Sequence, residues 1–151
     1  MTFSINCVRL VKKFEGLYLI AYRCPAGIYT IGWGHTSVVQ EGQQIDEPTA
    51  EQLLNDDLTI VATQLNKMLP PSASLNQNQF DALCSLCFNL AGGPWSLPRQ
   101  APRMWSDLIH GEMPQAAGEF LDMDHAFVAG TLEILPGLRE RRIEEAKLFL
   151  S

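Results

Sequence analysis

The sequence lacks any apolar run long enough to span a membrane. No uninterrupted apolar segment in its 151 residues approaches the length of about 18 residues that a transmembrane helix requires. It also lacks a long apolar segment near the N-terminus, so we expect no cleavable signal peptide and predict synthesis in the cytoplasm. Internal repeats and low-complexity stretches are absent. A chain of this length with 46% apolar residues suits one or two compact lobes around a core.

Positive charge is scarce, with 11 Lys and Arg against 17 Asp and Glu and a net charge of −6. This acidic balance disfavours nucleic-acid binding and weakens long-range attraction to anionic surfaces. A local basic cluster is formed by Arg139, Arg141 and Arg142. Because Arg141 can pair with Glu145 four residues later, we interpret this cluster as a solvated helix face in preference to a substrate patch.

Metal-binding patterns are incomplete, and we expect neither a metal nor a cofactor. The three histidines are scattered and form no H-E-x-x-H motif. Cys84 and Cys87 have a metal-like spacing, but they lie in an apolar helical pattern without a second pair, so we predict core packing. Cys7 is interpreted as a small core residue and not as a disulfide partner of Cys24. A nucleophilic Cys24–His35 pair is an alternative.

Glu15 follows an apolar pattern that predicts a helix over residues 4–15. Glu15 borders the apolar stripe, and Gly16 follows where a left-handed cap could end the helix. Partial burial and the negative end of the helix dipole both disfavour the charged carboxylate. A general acid working near neutral pH requires that neutral form, although a surface glutamate after a core helix gives the same pattern. The stripe consists of Cys7, Leu10, Val11, Phe14 and Tyr18.

A β-hairpin is predicted next, because segments 21–23 and 29–34 flank a turn rich in Pro and Gly. Period-two alternation puts Thr30, Gly32 and Gly34 on one face. Glycine leaves a strand face bare, so Thr30 would stand beside room for a bulky ligand. The alternative is a tight hairpin that only packs against a helix.

Helical periodicity dominates the rest of the chain. Asp46 offers an N-cap, and the apolar stripe after it predicts a connecting helix over about residues 49–69, roughly 30 Å long. Residues 76–91 are apolar nearly all round, which predicts a helix buried on every side. Shorter helices are predicted around 104–109 and 114–120, and a last one at about 136–150.

The spacing of Glu15, Cys24 and Thr30 resembles the Glu-x8-Asp/Cys-x5-Thr signature of the phage-type lysozymes, the endolysins of glycoside hydrolase family 24. Three further segments resemble family segments in the family order, so the resemblance covers nearly the whole chain. These segments are EGQQIDEPTAEQLLNDDL, FDALCSLCFNLAGG and LPGLRERRIEEAKLFL.

The resemblance implies an α+β, lysozyme-like fold in a single domain. A small N-terminal lobe with a short antiparallel β-sheet is expected at about residues 15–48, and the connecting helix at about 49–69. A helical C-terminal lobe is expected at about 70–151, together with the first helix, 4–15. The substrate groove is expected between the two lobes.

The implied activity is that of a muramidase, which hydrolyses the β-1,4 bond between N-acetylmuramic acid and N-acetylglucosamine in peptidoglycan. By motif match, Glu15 is the general acid, Cys24 occupies the general-base (or nucleophile) position, and Thr30 positions water. Gly32, on the bare strand face, and Asn89, in an F-N-x-x-G-G motif, are expected to contact the substrate. A monomer that binds glycan strands without stable membrane insertion is expected.

Two departures from the family pattern affect these expectations. Most members carry Asp where this chain has Cys24, and a free thiol with a pKa of about 8.5 is mostly protonated at neutral pH. A charged Glu15 nearby would raise that pKa further. Either the surroundings lower the pKa, or Cys24 is a minor base and Thr30 with water does more. The family also usually has a tryptophan near Met123, and the loop from there to Pro136 is long here.

The resemblance also implies how the enzyme reaches the cell wall and which biological role it has. Without an export signal, an endolysin needs a holin or a similar membrane lesion to reach the wall in the periplasm, where it lyses the host cell.

An inverting course fits a base that activates water across from the acid. His35, in GWGHT, matches a structural position. The alternatives are a catalytically weakened glycan-binding or inhibitory module on the same fold, and a tail-tip or secreted effector with the same chemistry.

Overall fold

The computed structural model describes residues 1–128 and 131–151, with the backbone alone for Phe127 and Val128. It confirms the α+β class, because the described residues combine α-helices with two antiparallel two-stranded sheets. The helices are α1 (Ile5–Glu15), α2 (Glu47–Met68), α3 (Gln77–Asn89), α4 (Leu97–Gln100), α5 (Pro102–His110), α6 (Met113–Gly118) and α7 (Pro136–Phe149). The strands are β1 (Tyr18–Arg23), β2 (Tyr29–Gly32), β3 (His125–Val128) and β4 (Thr131–Ile134). Short 3₁₀ turns cover Pro94–Ser96 and Glu119–Met123.

The first helix, α1, begins and ends close to its predicted bounds. Ser4 is the N-cap, and its hydroxyl accepts a hydrogen bond from the Asn6 backbone N–H at 3.2 Å. The Ser4 backbone N–H donates to Asp81 Oδ1 of α3 at 2.8 Å, which ties the start of the helix to the core. Gly16 ends α1 with φ 72° and ψ 159°, so it has the positive φ of a glycine cap but an extended ψ. The chain therefore leaves α1 directly into β1.

Strands β1 and β2 form the predicted hairpin, with Tyr22 opposite Thr30 in an antiparallel register. β1 begins at position 18 instead of 21, and β2 ends at Gly32 instead of Gly34. Both glycines have positive φ, +62° and +85°, which turns the backbone out of the extended conformation and ends the strand early.

The long helix α2 runs from the hairpin to the core. Asp46 is its N-cap, as predicted, and accepts a hydrogen bond from the Thr49 backbone N–H at 2.9 Å. The helix has 22 residues, so it is about 33 Å long, and it begins two residues before the predicted start. None of the described helices is long and apolar enough to cross a bilayer. The buried side of α2 consists of Ala50, Leu54, Leu58, Val61, Ala62 and Leu65.

Helix α3 lies at the centre of the core, in contact with α1, α2 and α7. Every residue from Phe80 to Cys87 is buried, which confirms the prediction of a helix buried on all sides. Cys84 and Cys87 are core residues, and Cys7 of α1 belongs to the same core. All four cysteines lie within the described residues and are free thiols, so Cys7 is a core residue and forms no disulfide.

The segment after Met123 differs from the loop that its sequence suggests. β3 and β4 pair antiparallel, with His125 opposite Ile134, while positions 129 and 130 lie outside the described residues. Every residue of β4 is exposed. The sequence of β4, TLEI, alternates polar and apolar residues as a strand does, but it covers only four residues and neither face of the strand is buried.

Candidate active site

The Glu15 carboxyl is partly buried at the C-terminal end of α1, with 20% of the side chain exposed. Its Oε1 accepts a hydrogen bond from Arg141 Nη1 of α7 at 2.5 Å. On the other side, a methyl group placed on Gly34 would lie 3.1 Å from Glu15 Oε2. The carboxyl is thus held between a cation and a glycine. It lines a cavity of about 240 Å³, together with Asn89 and Leu138.

Arg141 and Arg142 are buried, so the prediction of a solvated face on this part of α7 is wrong. Arg141 is 3% exposed and Arg142 is 1% exposed. The predicted pair of Arg141 with Glu145 is present at 3.0 Å, but Glu145 is fully buried as well. These charges tolerate burial because each guanidinium is hydrogen-bonded to carboxylates and carbonyls. Arg141 Nη2 donates to the Ser85 carbonyl and Arg142 Nε to the Met123 carbonyl, each at 3.1 Å.

The surroundings of Glu15 agree only in part with the sequence. The carboxyl is partly buried at the C-terminal end of α1, as the sequence predicts, and its hydrogen-bond partner is a cation, Arg141. No local pattern in the sequence identifies Arg141 as this partner, because 126 positions separate it from Glu15.

Asn89, the last residue of α3, is exposed beside the Glu15 cavity. Its Oδ1 accepts a hydrogen bond from Arg142 Nη2. Asn89 also lines a second cavity of about 360 Å³, which extends to His125 and Gln100. The Asn89 amide therefore lies where the two cavities adjoin, with its oxygen already oriented by a buried cation.

Cys24 and Thr30 lie close together at the turn of the first hairpin. The Cys24 backbone N–H and the Thr30 hydroxyl both donate to the Ile28 carbonyl, at 3.0 and 3.2 Å. The pKa of the Cys24 thiol is lowered, mainly by hydrogen bonding from the Ile28 backbone and further by the Ala26 backbone and the Thr30 hydroxyl, while burial acts in the opposite direction. The net direction is therefore opposite to the effect that a charged Glu15 nearby would have. The geometry favours the alternative in which the surroundings stabilise the thiolate.

Tyr22 lies opposite Thr30 in the first hairpin, and no sequence pattern marks it. Its pKa is raised, first by burial and then by Tyr18, Glu15 and Cys24. The Tyr22 ring lies 4.3 Å from that of Tyr18, measured between ring centroids.

The surroundings of the strand glycines differ from the bare face that the alternation predicts. Thr30 is only 4% exposed, and Gly32 is buried. A methyl group on Gly32 would lie 3.4 Å from the Ala50 Cβ, so α2 fills the space beside it. Gly34 borders the Glu15 carboxyl instead. Glycine does permit close approaches here, but the approaching groups belong to the protein itself.

His35 ties the segment after β2 to α2. Its Nδ1 lies 2.8 Å from Asp57 Oδ2, and its Nε2 lies 3.0 Å from the Ser37 carbonyl oxygen. Both ring nitrogens are therefore engaged, so the alternative of a Cys24–His35 nucleophilic pair finds no support in the geometry. The histidine has the structural position that the sequence suggested.

A third cavity, of about 320 Å³, adjoins Gly34 and extends to Trp95. Trp95 is 58% exposed, while Gly92 and Gly93 carry no side chains and Gln64 adds a polar group to the wall. A flat apolar ring beside polar groups suits a sugar, which has apolar ring faces and hydroxyl edges. Within residues 1–128 and 131–151, no cluster of His, Cys, Asp and Glu side chains could hold a metal ion.

Comparison with known proteins identifies the family. The family model for phage lysozyme matches residues 12–145, which include Glu15, Cys24, Thr30 and Asn89. The chain belongs to the phage lysozyme family. An endolysin of Acyrthosiphon pisum secondary endosymbiont phage 1 is 38% identical over 142 residues, which cover 94% of this chain and 93% of that relative.

Solved structures resemble this phage lysozyme along nearly its whole length. The muramidase domain of SpmX from Asticaccaulis excentricus superposes with a TM-score of 0.88 at 34% identity, over 99% of this chain and 98% of that one. The endolysin from Escherichia coli O157:H7 phage FAHEc1 also has a TM-score of 0.88, at 30% identity over 100% and 94% of the two chains. The protein is therefore a glycoside hydrolase of the lysozyme type, with endolysin or muramidase function.

Proposed function

We propose that this lysozyme hydrolyses the β-1,4 bond between N-acetylmuramic acid and N-acetylglucosamine in peptidoglycan, with Glu15 as the general acid. The supporting observation is the partly buried Glu15 carboxyl, held between Arg141 and Gly34 at the wall of a cavity. A general acid requires a carboxyl that is shielded from bulk water and open to the substrate. Glu15 gives its proton to the glycosidic oxygen as the bond to the anomeric carbon breaks.

Cys24 is the general base in this proposal. Its lowered pKa increases the thiolate fraction at neutral pH. The thiolate takes a proton from a water molecule, and the water oxygen attacks the anomeric carbon from the face opposite Glu15. Thr30 helps to position that water. The proton then leaves Cys24 for solvent, and Glu15 regains one, which completes the cycle.

The stereochemical course in this proposal is inversion. Inverting glycosidases typically separate acid and base by about 6.5–9.5 Å, which leaves space for the attacking water. Nuclear magnetic resonance of the freshly released sugar anomer tests this course, and a retained β-anomer would make Cys24 a nucleophile instead.

The glycan strand is placed across Gly34, between the Trp95 cavity and the Asn89 amide. The cavities that meet Glu15 and Gly34 from the two sides support this placement. At a net charge of −6, attraction to an anionic wall is weak at long range, so short-range contacts carry the binding. Gly32 acts from behind the groove, because its contact with Ala50 sets the position of β2 and of Thr30.

Host-cell lysis is the proposed biological role, and the endolysin relatives support it. The proposed substrate is peptidoglycan in the periplasm, reached through a holin or a similar membrane lesion, and the proposed active form is a monomer. Loss of turbidity in chloroform-treated Gram-negative cells, compared with intact cells, tests both the activity and the need for a lesion.

Release of reducing ends from purified peptidoglycan tests the proposed chemistry. Glu15→Gln keeps the size of the side chain and an acceptor for Arg141 but cannot give up a proton. We expect its rate to fall about 10²- to 10⁴-fold. Glu51→Gln is the control, because Glu51 also lies beside α1, where it pairs with Lys12. A wild-type rate for Glu15→Gln overturns the acid assignment, and saturable glycan binding by wild type without any released ends identifies a binding module instead.

A further inference from the structure

Glu145 lies at the centre of a buried charge cluster. The side chain is fully buried on α7. Its Oε1 accepts hydrogen bonds from Arg141 Nε at 3.0 Å and from Ser85 Oγ at 2.7 Å. Its Oε2 accepts a hydrogen bond from Arg142 Nη1. One carboxylate therefore holds two guanidinium groups, with a hydroxyl of α3 as a third donor.

The two arginines diverge from Glu145 to different residues of the candidate site. Arg141 uses Nη1 to bind Glu15 Oε1 at 2.5 Å, and Arg142 uses Nη2 to bind Asn89 Oδ1. A guanidinium is planar and rigid, so fixing one edge on Glu145 fixes the direction of the other edge. The carboxyl of Glu15 and the amide of Asn89 are both oriented through this one buried residue.

Glu145 also balances positive charge of Arg141 and Arg142. Two arginines face two glutamates in this cluster, and the nearer cation, Arg141, is shared between Glu15 and Glu145. Without Glu145, Glu15 would be the one carboxylate of the cluster that balances the two guanidinium groups, and the excess positive charge would favour its charged form. A general acid has to bind its proton before each turnover. Glu145 therefore offsets part of the positive charge that Arg141 brings to the acid.

The other titratable groups near the cluster add no charge to it. Cys87 of α3 lies near Glu145, and burial raises the pKa of its thiol. Cys7 of α1 lies near Arg141, and its pKa is raised by a hydrogen bond with Cys84 and by burial. Both thiols are neutral at working pH. The pKa of the Tyr22 phenol is also raised, first by burial and then by Tyr18 and Glu15.

The remaining acids on elements that contact α7 have partners elsewhere. Asp81 of α3 accepts hydrogen bonds from Ser4 and Gln77. In the Glu119–Met123 turn, the acids Glu119 and Asp122 both pair with Arg103.

We propose that Glu145 is a positioning residue of this lysozyme, which divides its hydrogen bonds between Arg141 and Arg142 and thereby holds Glu15 and Asn89 in place and balances the positive charge beside Glu15. The proposal rests on the proposed role of Glu15 as the general acid. Glu145 acts through the arginines, since it is fully buried and has no access to the substrate.

The first test compares Glu145→Gln with Glu144→Gln. Glu144 is the matched control, because it is the preceding residue on α7 and pairs with Lys13 and Lys147 nearer the surface. Loss of the Glu145 charge leaves Glu15 as the one carboxylate of the cluster facing Arg141 and Arg142, so the acid is expected to lose its proton at a lower pH. We expect the limb of the kcat/KM profile that Glu15 governs, identified as the limb that Glu15→Gln removes, to move to lower pH by on the order of one unit. In Glu144→Gln, this limb of the kcat/KM profile is expected to stay at its wild-type pH. An unmoved limb in Glu145→Gln overturns the proposal, even if its activity is reduced.

The second test uses wild-type protein and so does not depend on the folding of a variant. The side-chain N–H resonances of Arg141 and Arg142 are followed by nuclear magnetic resonance while the Glu15 carboxyl is titrated. Because Glu145 joins the two guanidinium groups, we expect both sets of resonances to shift with the Glu15 transition. A shift confined to Arg141 overturns the proposal. This readout requires no catalysis. A protein that releases no reducing ends therefore refutes the proposed function, while the coupling between the Glu15 titration and the two arginines can still be measured.

Discussion

Arg141 donates a hydrogen bond to Glu15 at 2.5 Å, although 126 positions separate the two residues. The contact joins the end of the first helix to the last helix and places a cation on the carboxyl that we propose as the acid. The same guanidinium binds Glu145 at 3.0 Å. The candidate site therefore depends on the packing of α7 against α1 and α3 as much as on the hairpin that carries Cys24 and Thr30.

Replacement of Gly34 by Ala is expected to abolish most of the activity. The new methyl group would lie 3.1 Å from Glu15 Oε2 and would displace the carboxyl. Gly111→Ala is a matched control, because Gly111 has a similar φ, +78° against +85°, and open space around it. Both variants are expected to lose about 1–2 kcal/mol of unfolding free energy from backbone strain, measured by urea denaturation. Equal activity of the two folded variants contradicts the close packing of Gly34 on Glu15.

Thr30→Val is expected to raise the pKa of the Cys24 thiol. The hydroxyl helps to stabilise the thiolate, and valine keeps the shape without the donor. The pH dependence of Cys24 alkylation by iodoacetamide, followed by mass spectrometry, measures the shift, since the other three cysteines are buried. The pH midpoint of Cys24 alkylation is expected to be higher in Thr30→Val than in the wild type. Thr59→Val, on the exposed side of α2, is the control, and a midpoint that is equal in all three proteins contradicts the prediction.

Cys24→Asp is expected to keep activity and to move the acid limb of the pH profile to lower pH. The base has to be ionised, and a carboxyl with an ordinary pKa of about 3.9 ionises well below a thiol. Cys24→Ser supplies no base in this pH range and is expected to lose about 10²- to 10⁴-fold in rate. The rate of reducing-end release across pH measures both variants. An acid limb that stays in place in Cys24→Asp argues against a thiolate base.

Trp95→Ala is expected to raise the KM for soluble chitooligosaccharides about tenfold while kcat stays close to wild type. This corresponds to a loss of about 1.4 kcal/mol, as expected for an exposed ring that contacts a sugar face. Trp95→Phe retains an aromatic ring, so its KM is expected to lie between those of the wild type and Trp95→Ala. A KM that does not change in Trp95→Ala places the glycan elsewhere.

Local patterns in the sequence predict much of this fold. The Asp46 cap of α2 and the all-round apolar pattern of α3 depend on residues a few positions apart. The hairpin is equally local, so the spacing of Cys24 and Thr30 brings the two residues together once β1 and β2 pair. The sequence does not predict β3 and β4, because each strand has only four residues and β4, although it alternates, buries neither face.

By itself, the sequence determined the family, the α+β class and the types of residue available for acid and base chemistry, because these follow from composition, periodicity and motif spacing. Only the tertiary structure decided what surrounds those residues. The burial of Arg141, Arg142 and Glu145, and the closeness of Gly34 to Glu15, depend on distances between elements far apart in the chain. Electrostatic and packing energies follow distance in space, and the spacing of residues along a chain does not specify that distance.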